Sequence, residues 1–174
     1  LDGGDGQDAV DFYGDPSAYV NLGTGIAYDG FGGTDTLVSI EDILGSFNSD
    51  ELIGSSLENY IDGRDGDDTI EGAAGSDYLV GGEGYDIFVY GADDQYYDSD
   101  TIEDFVVGTD YLRLEDGLSI DSISESEGST TVYLSNFTTI YLVGVAGVSD
   151  PNDLLEPPSF FSMAFVTSED EISA

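Results

Sequence analysis

The chain has 174 residues, with 38 acidic side chains against 2 basic ones, no histidine and no cysteine, and a formal net charge of −36. Without a basic patch it cannot meet the phosphates of nucleic acid or an anionic membrane, and without His or Cys the Ser-His, Cys-His and His-metal constellations are closed to it. No apolar run approaches the length of a membrane span, while 40% hydrophobic content suits a folded domain with a core.

Leu1 opens in mid-repeat, as expected of a piece cut from a longer polypeptide. Residues 3–11 read GGDGQDAVD, and GFGGTDTLV at 30–38 repeats the theme, with Asp8 and Asp35 sixth in their units. Between them lie FYGDPSAYV (12–20) and NLGTGIAYD (21–29). These carry Tyr19 and Tyr28 in eighth place but Ser17 and Ile26 where the acid would stand. They are expected to keep a coil with the tyrosines in the core, and to have lost a ligand. SIEDIL at 39–44 breaks the phase and is expected to form a bulge or loop.

From Gly45 to Val89 five nonapeptides follow without insertion: GSFNSDELI, GSSLENYID, GRDGDDTIE, GAAGSDYLV and GGEGYDIFV. Position one is always Gly. Position six is Asp50, Asn59, Asp68, Asp77 and Asp86, and position eight is Leu52, Ile61, Ile70, Leu79 and Phe88. Nine residues cannot bury an apolar face alone, but a short strand at positions seven to nine can stack on its neighbours and line a continuous interior. Glycines at positions one and four are expected to supply positive φ. If two units make one coil, Asp50, Asp68 and Asp86 stack on one edge and Asn59 and Asp77 on the other. Two carboxylates about 5 Å apart at an effective dielectric near 20 repel by roughly 3 kcal/mol, so such columns call for a cation. An all-oxygen ligand set with backbone carbonyls favours calcium over zinc or copper.

Residues 63–89 resemble the glycine-rich nonapeptide repeat of RTX proteins. The resemblance implies an all-β, right-handed parallel β-roll holding several Ca²⁺ ions, with each six-residue turn binding metal and the last three residues forming the strand. Carried over, it marks Gly63, Asp65, Asp67 and Asp68; Gly72, Ala74, Ser76 and Asp77; and Gly81, Gly82, Gly84 and Asp86. Asp50, Asn59, Asp8 and Asp35 join them by position. Units 45–62 depart from the pattern, with Asn48 and Leu57 in fourth place.

After Tyr90 the repeat stops. DTIEDF (100–105), DYLRLE (110–115), TTVYLSN (130–136) and TTIYLVGV (138–145) read as strands of a β-rich cap. The expected division is a roll over 1–91, a cap over 92–148 and a tail over 149–174. The segment after the repeats resembles the one that follows them in many type I secreted proteins, and the family implies that it seals the open end of the roll. Asp100, Asp104 and Asp110 are candidates for one more cation. The tail, ending FFSMAFVTSEDEISA, is compatible with a C-terminal secretion signal.

The resemblance therefore implies a non-catalytic calcium-binding module of an extracellular or cell-surface protein, exported by type I secretion machinery and folding on external Ca²⁺. Two alternatives stand beside it. One is a polysaccharide- or surface-binding module like those of alginate epimerases and RTX adhesins, and the other is a fragment of an enzyme whose catalytic domain lies upstream.

Overall fold

The structure, a computed structural model, describes residues 1–91 and 98–157. The secretion-signal expectation for 160–174 lies outside the described residues, and so does most of the expected tail. Among the described residues the regular structure is β, apart from one turn of 3-10 helix at Pro151–Leu154.

Two sheets face each other across one core. The first takes strands from alternate half-coils: β1 (Ala9–Asp11), β5 (Asp42–Leu44), β7 (Tyr60–Asp62), β9 (Tyr78–Val80), β11 (Ser99–Ile102) and β15 (Thr139–Leu142), all parallel. The second is built on β2 (Tyr19–Asn21), β6 (Glu51–Ser55), β8 (Thr69–Ala73), β10 (Ile87–Tyr90) and β12 (Tyr111–Leu114), also parallel. Consecutive units thus alternate between sheets, and Glu51 pairs with Thr69 while Tyr60 pairs with Tyr78. This is a parallel β-roll with two nonapeptides per coil. The position-eight side chains Leu52, Ile61, Ile70, Leu79 and Phe88 all lie inside. They join Val20, Ile43, Ile102, Leu112 and Leu142 in one apolar cluster, the contact that lets three-residue strands persist.

At one end the parallel order gives way to antiparallel pairing. β14 (Ser129–Leu134) pairs antiparallel with β15 and with β13 (Ile120–Ser126), closing the first sheet. The first two predicted cap strands overlap β11 and β12, which pair parallel with strands of the roll, and the last two overlap β14 and β15. β13 was missed because IDSISES is mostly exposed and its two apolar residues, Ile120 and Ile123, are three apart and break the alternation of a strand. Beyond the short helix, Glu156 donates its N–H to Leu112 O at 3.0 Å along the outer edge of β12. Arg113 clamps this return with two bonds to the Glu156 carboxylate, 2.6 and 3.1 Å.

The N-terminal block corrects three expectations. Residues 39–44 are no bulge: Asp42–Leu44 is β5, and Ile43 is fully buried between Val10 and Ile61. An acid followed two residues later by an apolar side chain, Glu41-Asp42-Ile43, was sufficient to restart the coil. Of the two acid-poor units only the first stays in it. Asn21 Oδ1 accepts the Thr24 N–H and Gly25 takes φ +68°, reversing the chain so that β3 (Ile26–Tyr28) and β4 (Asp35–Thr36) run antiparallel to their neighbours. Finally, Tyr19 pairs with Glu51 and Val20 with Leu52, one residue off the expected register. A slip of one turns every side chain to the other face, so Val20 and Ala27 are buried while Tyr28 is exposed and packs against Tyr19 at 5.6 Å.

Candidate metal centre

Every strand of the array starts directly after its sixth-position residue, which leaves that side chain on the buried edge where turn meets sheet. Asp50, Asn59, Asp68, Asp77 and Asp86 are all buried. Oδ1 of each acid accepts the backbone N–H of its equivalent one coil earlier. Asp50 N donates to Asp68 at 2.8 Å, Asp68 N to Asp86 at 3.0 Å, and Asn59 N to Asp77 at 2.8 Å, each over 18 residues. At the top, the Ala18 N–H bonds Asp50 Oδ1 at 2.6 Å. The side chains are therefore not merely stacked, because each one continues the backbone ladder around the corner of the roll.

The second carboxylate oxygen folds back over its own turn. It occupies the space beside the position-one glycine so closely that a Cβ on Gly63, Gly72 or Gly81 would collide with Oδ2 of Asp68, Asp77 or Asp86. A Cβ on Gly45 would lie 2.6 Å from Asp50 Oδ2 and 2.7 Å from Gly63 O, and one on Gly63 would lie 2.8 Å from Gly81 O. Position one is glycine for want of room, and it takes no positive φ. That corrects the sequence expectation, since the left-handed residues sit at positions two (Arg64 77°, Ala73 64°, Gly82 100°) and four (Gly66 132°, Gly75 130°, Gly84 148°). Backbone bonds knit neighbouring turns here, with Gly66 N donating to Glu83 O at 2.8 Å and Glu83 N to Arg64 O at 2.9 Å. Each coil thus leaves a small cradle bounded by one carboxylate oxygen and the position-one carbonyl of the next coil.

Asp68 Oδ2 and Asp86 Oδ2 are buried there with no hydrogen-bond donor, as is Asp8 Oδ2 in the N-terminal unit. Burial pushes the Asp68 carboxyl up to about 8, and the charges of Asp50, Asp86 and Asp67 push the same way against the bond from Asp50 N–H. Burial likewise raises Asp86 to about 6 and Asp100 to about 7, and lifts Asp50 and Asp110 above the usual carboxylate range. An acceptor oxygen without a donor in a desolvated, like-charged column is a poor resting state for an anion alone. It fits a hard cation that takes oxygen ligands from carboxylates and backbone carbonyls. Units 45–53 and 54–62 differ: Ser46 donates its N–H and Oγ–H to Asp50 at 2.6 and 2.9 Å, and Ser55 N–H bonds Asn59 Oδ1 at 2.7 Å. Serine at position two satisfies these side chains internally.

The other sequence candidates are scattered around these cradles. Asp65 and Asp67 are exposed on the turn; Asp67 accepts Tyr85 N at 3.0 Å. Ala74 is buried, and Ser76 is exposed with its Oγ accepting Ser99 N at 3.2 Å. Gly82 and Gly84 are the left-handed residues of the third turn. Asp35 begins β4 and stands outside both columns. Sequence reasoning did not see that the columns continue past the repeats. Asp100 Oδ1 accepts Asp77 N at 2.9 Å over 23 residues, and Asp110 Oδ1 accepts Asp86 N at 3.2 Å over 24. They stand on opposite edges, so Asp100, Asp104 and Asp110 do not converge on one cation, and among the described residues no three acidic side chains do. Asp104 instead accepts Gly81 N and Gly82 N at 3.0 and 2.7 Å. The signal was present in Asp100-Thr101-Ile102 and Asp110-Tyr111-Leu112, which keep the acid-x-apolar ending of each nonapeptide.

Residues 45–88 match the RTX calcium-binding nonapeptide repeat family, in 4 copies. This array carries the RTX nonapeptide, a repeat that binds Ca²⁺, several ions per domain. No curated protein sequence matches the chain. Among solved structures it is similar to the extracellular lipase LipA from Serratia marcescens, at 15% identity and a TM-score of 0.41 over 91% of this chain and 34% of the lipase. It therefore spans about a third of that enzyme. It is also similar to the AlgE6R3 subunit of the Azotobacter vinelandii mannuronan C5-epimerase, at 20% identity and a TM-score of 0.27 over 73% of this chain and 86% of that one. Among the described residues no helix is long and apolar enough to cross a membrane.

Proposed function

We propose that this calcium-binding β-roll is a folding module of a larger secreted or cell-surface protein, exported through type I machinery and assembled on extracellular Ca²⁺. The observation that carries it is the pair of buried, donorless carboxylate oxygens, Asp68 Oδ2 and Asp86 Oδ2, each facing a glycine cradle in a column of like charge. The ligand assignment follows. Asp68, Asp77 and Asp86 supply the charge, position-one carbonyls such as Gly63 O and Gly81 O complete the cradle, and Asp50 and Asn59 hold the first coil through Ser46 and Ser55. Asp8 offers the same donorless oxygen in the N-terminal unit. When bound, the cation supplies the positive charge that turns repulsion along a column into attraction.

Without it, the columns oppose their own stacking. The turns stay apart, and the chain remains an open, highly charged polymer suited to passage through a pore. Extracellular calcium modules bind with dissociation constants of about 10⁻⁴ to 10⁻³ M, so external calcium suffices for the transition. Binding and folding free energy are then one quantity. Circular dichroism with and without EGTA tests this: β-structure should appear on adding calcium, and D68A/D77A should raise the midpoint. A spectrum indifferent to chelator would refute it. A carbohydrate platform has less support, since Tyr60 stacks on Tyr78 at 5.8 Å, Tyr85 packs on Tyr111 at 5.3 Å and Tyr19 on Tyr28 at 5.6 Å, so these rings are partnered by one another.

A further inference from the structure

Arg64 is one of two basic residues in the chain and sits at position two with φ +77°, where the matching residues are Ala73 and Gly82. A long side chain is costly in that conformation. Its course shows what it reaches. The guanidinium turns back one coil, where Nη1 donates to Gly45 O at 2.6 Å and meets Asp11 Oδ1 at 2.8 Å. The rings of Tyr13 and Phe47 flank it at 5.7 Å each and lie 5.2 Å from one another. The side chain is only 16% exposed.

The register explains the position. Ala18 stands opposite Asp50, so counting back through the six-residue turn places Tyr13 opposite Gly45. This rung therefore has alanine where the column acid belongs and tyrosine where the cradle glycine belongs. By the geometry of the later coils, in which Gly63 O faces the position-one site of the coil before, Gly45 O would face this defective rung. It bonds Arg64 instead. Asp11, next door at the end of β1, supplies the anion that Ala18 lacks. We propose that the Arg64 guanidinium is the resident cation of the first coil on this edge, tying β1 and the 13–18 turn to the repeat array without a metal ion. The inference rests on the calcium reading of the later coils, because only there does a vacant rung call for a substitute.

Two variants of the whole chain test it, R64Q and D11N; Asp11 is half exposed at the end of its strand, so its replacement leaves the core alone. With calcium saturating, hydrogen exchange at Phe12 and Ala18, whose amides bond Leu44 O and Asp50 Oδ1, should quicken about tenfold in both variants, the scale of one lost charge-assisted hydrogen bond. Exchange over 63–89 and the number of calcium ions bound, read by titration calorimetry, should stay as in the unmodified protein. R64K should recover part of the protection, since it keeps the charge and loses the planar fork. Unchanged exchange at Phe12 and Ala18 in D11N would overturn the proposal, and so would a lower calcium count in R64Q, which would make Arg64 a support for a metal site. An unmodified chain that binds no calcium would sink the calcium reading instead, and the two failures are distinguishable.

Discussion

Replacing Asp68 by asparagine separates the two roles of this side chain. The amide oxygen can still accept the Asp50 N–H at 2.8 Å, while an NH₂ group replaces the donorless oxygen above Gly63. In the metal-free chain the substitution removes a buried charge that faces Asp50 and Asp86. With parallel strands about 4.8 Å apart and an effective dielectric near 20, each neighbour contributes roughly 3 kcal/mol of repulsion, or about 6 kcal/mol for two before solvent screening. Allowing for screening and for protonation at a raised pKa, about 2 kcal/mol of relief is the expected scale. With calcium the sign reverses, because the cation loses an anionic ligand. The midpoint should rise about ten- to a hundredfold, equivalent to about 1.4 to 2.8 kcal/mol. Tyrosine near-ultraviolet dichroism during a calcium titration reads the affinity, and far-ultraviolet dichroism in EGTA reads the residual metal-free β-structure. The reasoning fails if D68N destabilises residual metal-free structure, or if it binds calcium as tightly as its parent.

Acid should partly replace calcium. Asp68, Asp86 and Asp100 have folded pKa values raised to about 8, 6 and 7 from 3.8, so the cost of ionising them is absent below about pH 4 and complete above about pH 8. In EGTA the β signal should therefore grow as pH falls from 8 towards 4, whereas with calcium present the midpoint should rise over that range as protons compete. Gly84→Ala should cost about 3 kcal/mol or more, since φ is +148° and the new Cβ would run into Gly66 O. Gly117→Ala, at φ +81° with nothing within 4 Å, should cost only about 1 to 2 kcal/mol, a contrast that urea melts in calcium will show. Ile61→Ala, at a fully buried position, should cost about 2 to 5 kcal/mol in the same assay.

The roll was legible in the sequence wherever the repeat stated its chemistry in full. Position eight points inward because a three-residue strand has one central side chain, and the eighteen-residue stacking followed from two units per coil. Where the repeat decays, the reading failed in ways that trace to single residues. Tyr19 looked like a core side chain because its slot was counted from the frame of the previous unit, yet Val20 fits the cavity beside Leu52 and the strand slipped by one to bury it. Glu41-Asp42-Ile43 looked like an interruption because no glycine introduces it, although an acid and a buried isoleucine were sufficient. The purpose of the position-one glycines was hidden for another reason. Composition reveals that glycine is needed there, but only coordinates distinguish an unusual backbone angle from an oxygen that leaves no room for a methyl group.

The polarity of the side-chain ladder bears on how such a molecule comes into being. Each aspartate secures the amide belonging to the loop before it, so a loop is finished only by a residue that lies 18 positions later, or 23 to 24 near the far end. A polypeptide emerging N-terminus first would always carry one unfinished layer at its growing front. The seal formed by β13 to β15 then ends this dependence, since the final layer is completed by strands that fold back on themselves and require no successor.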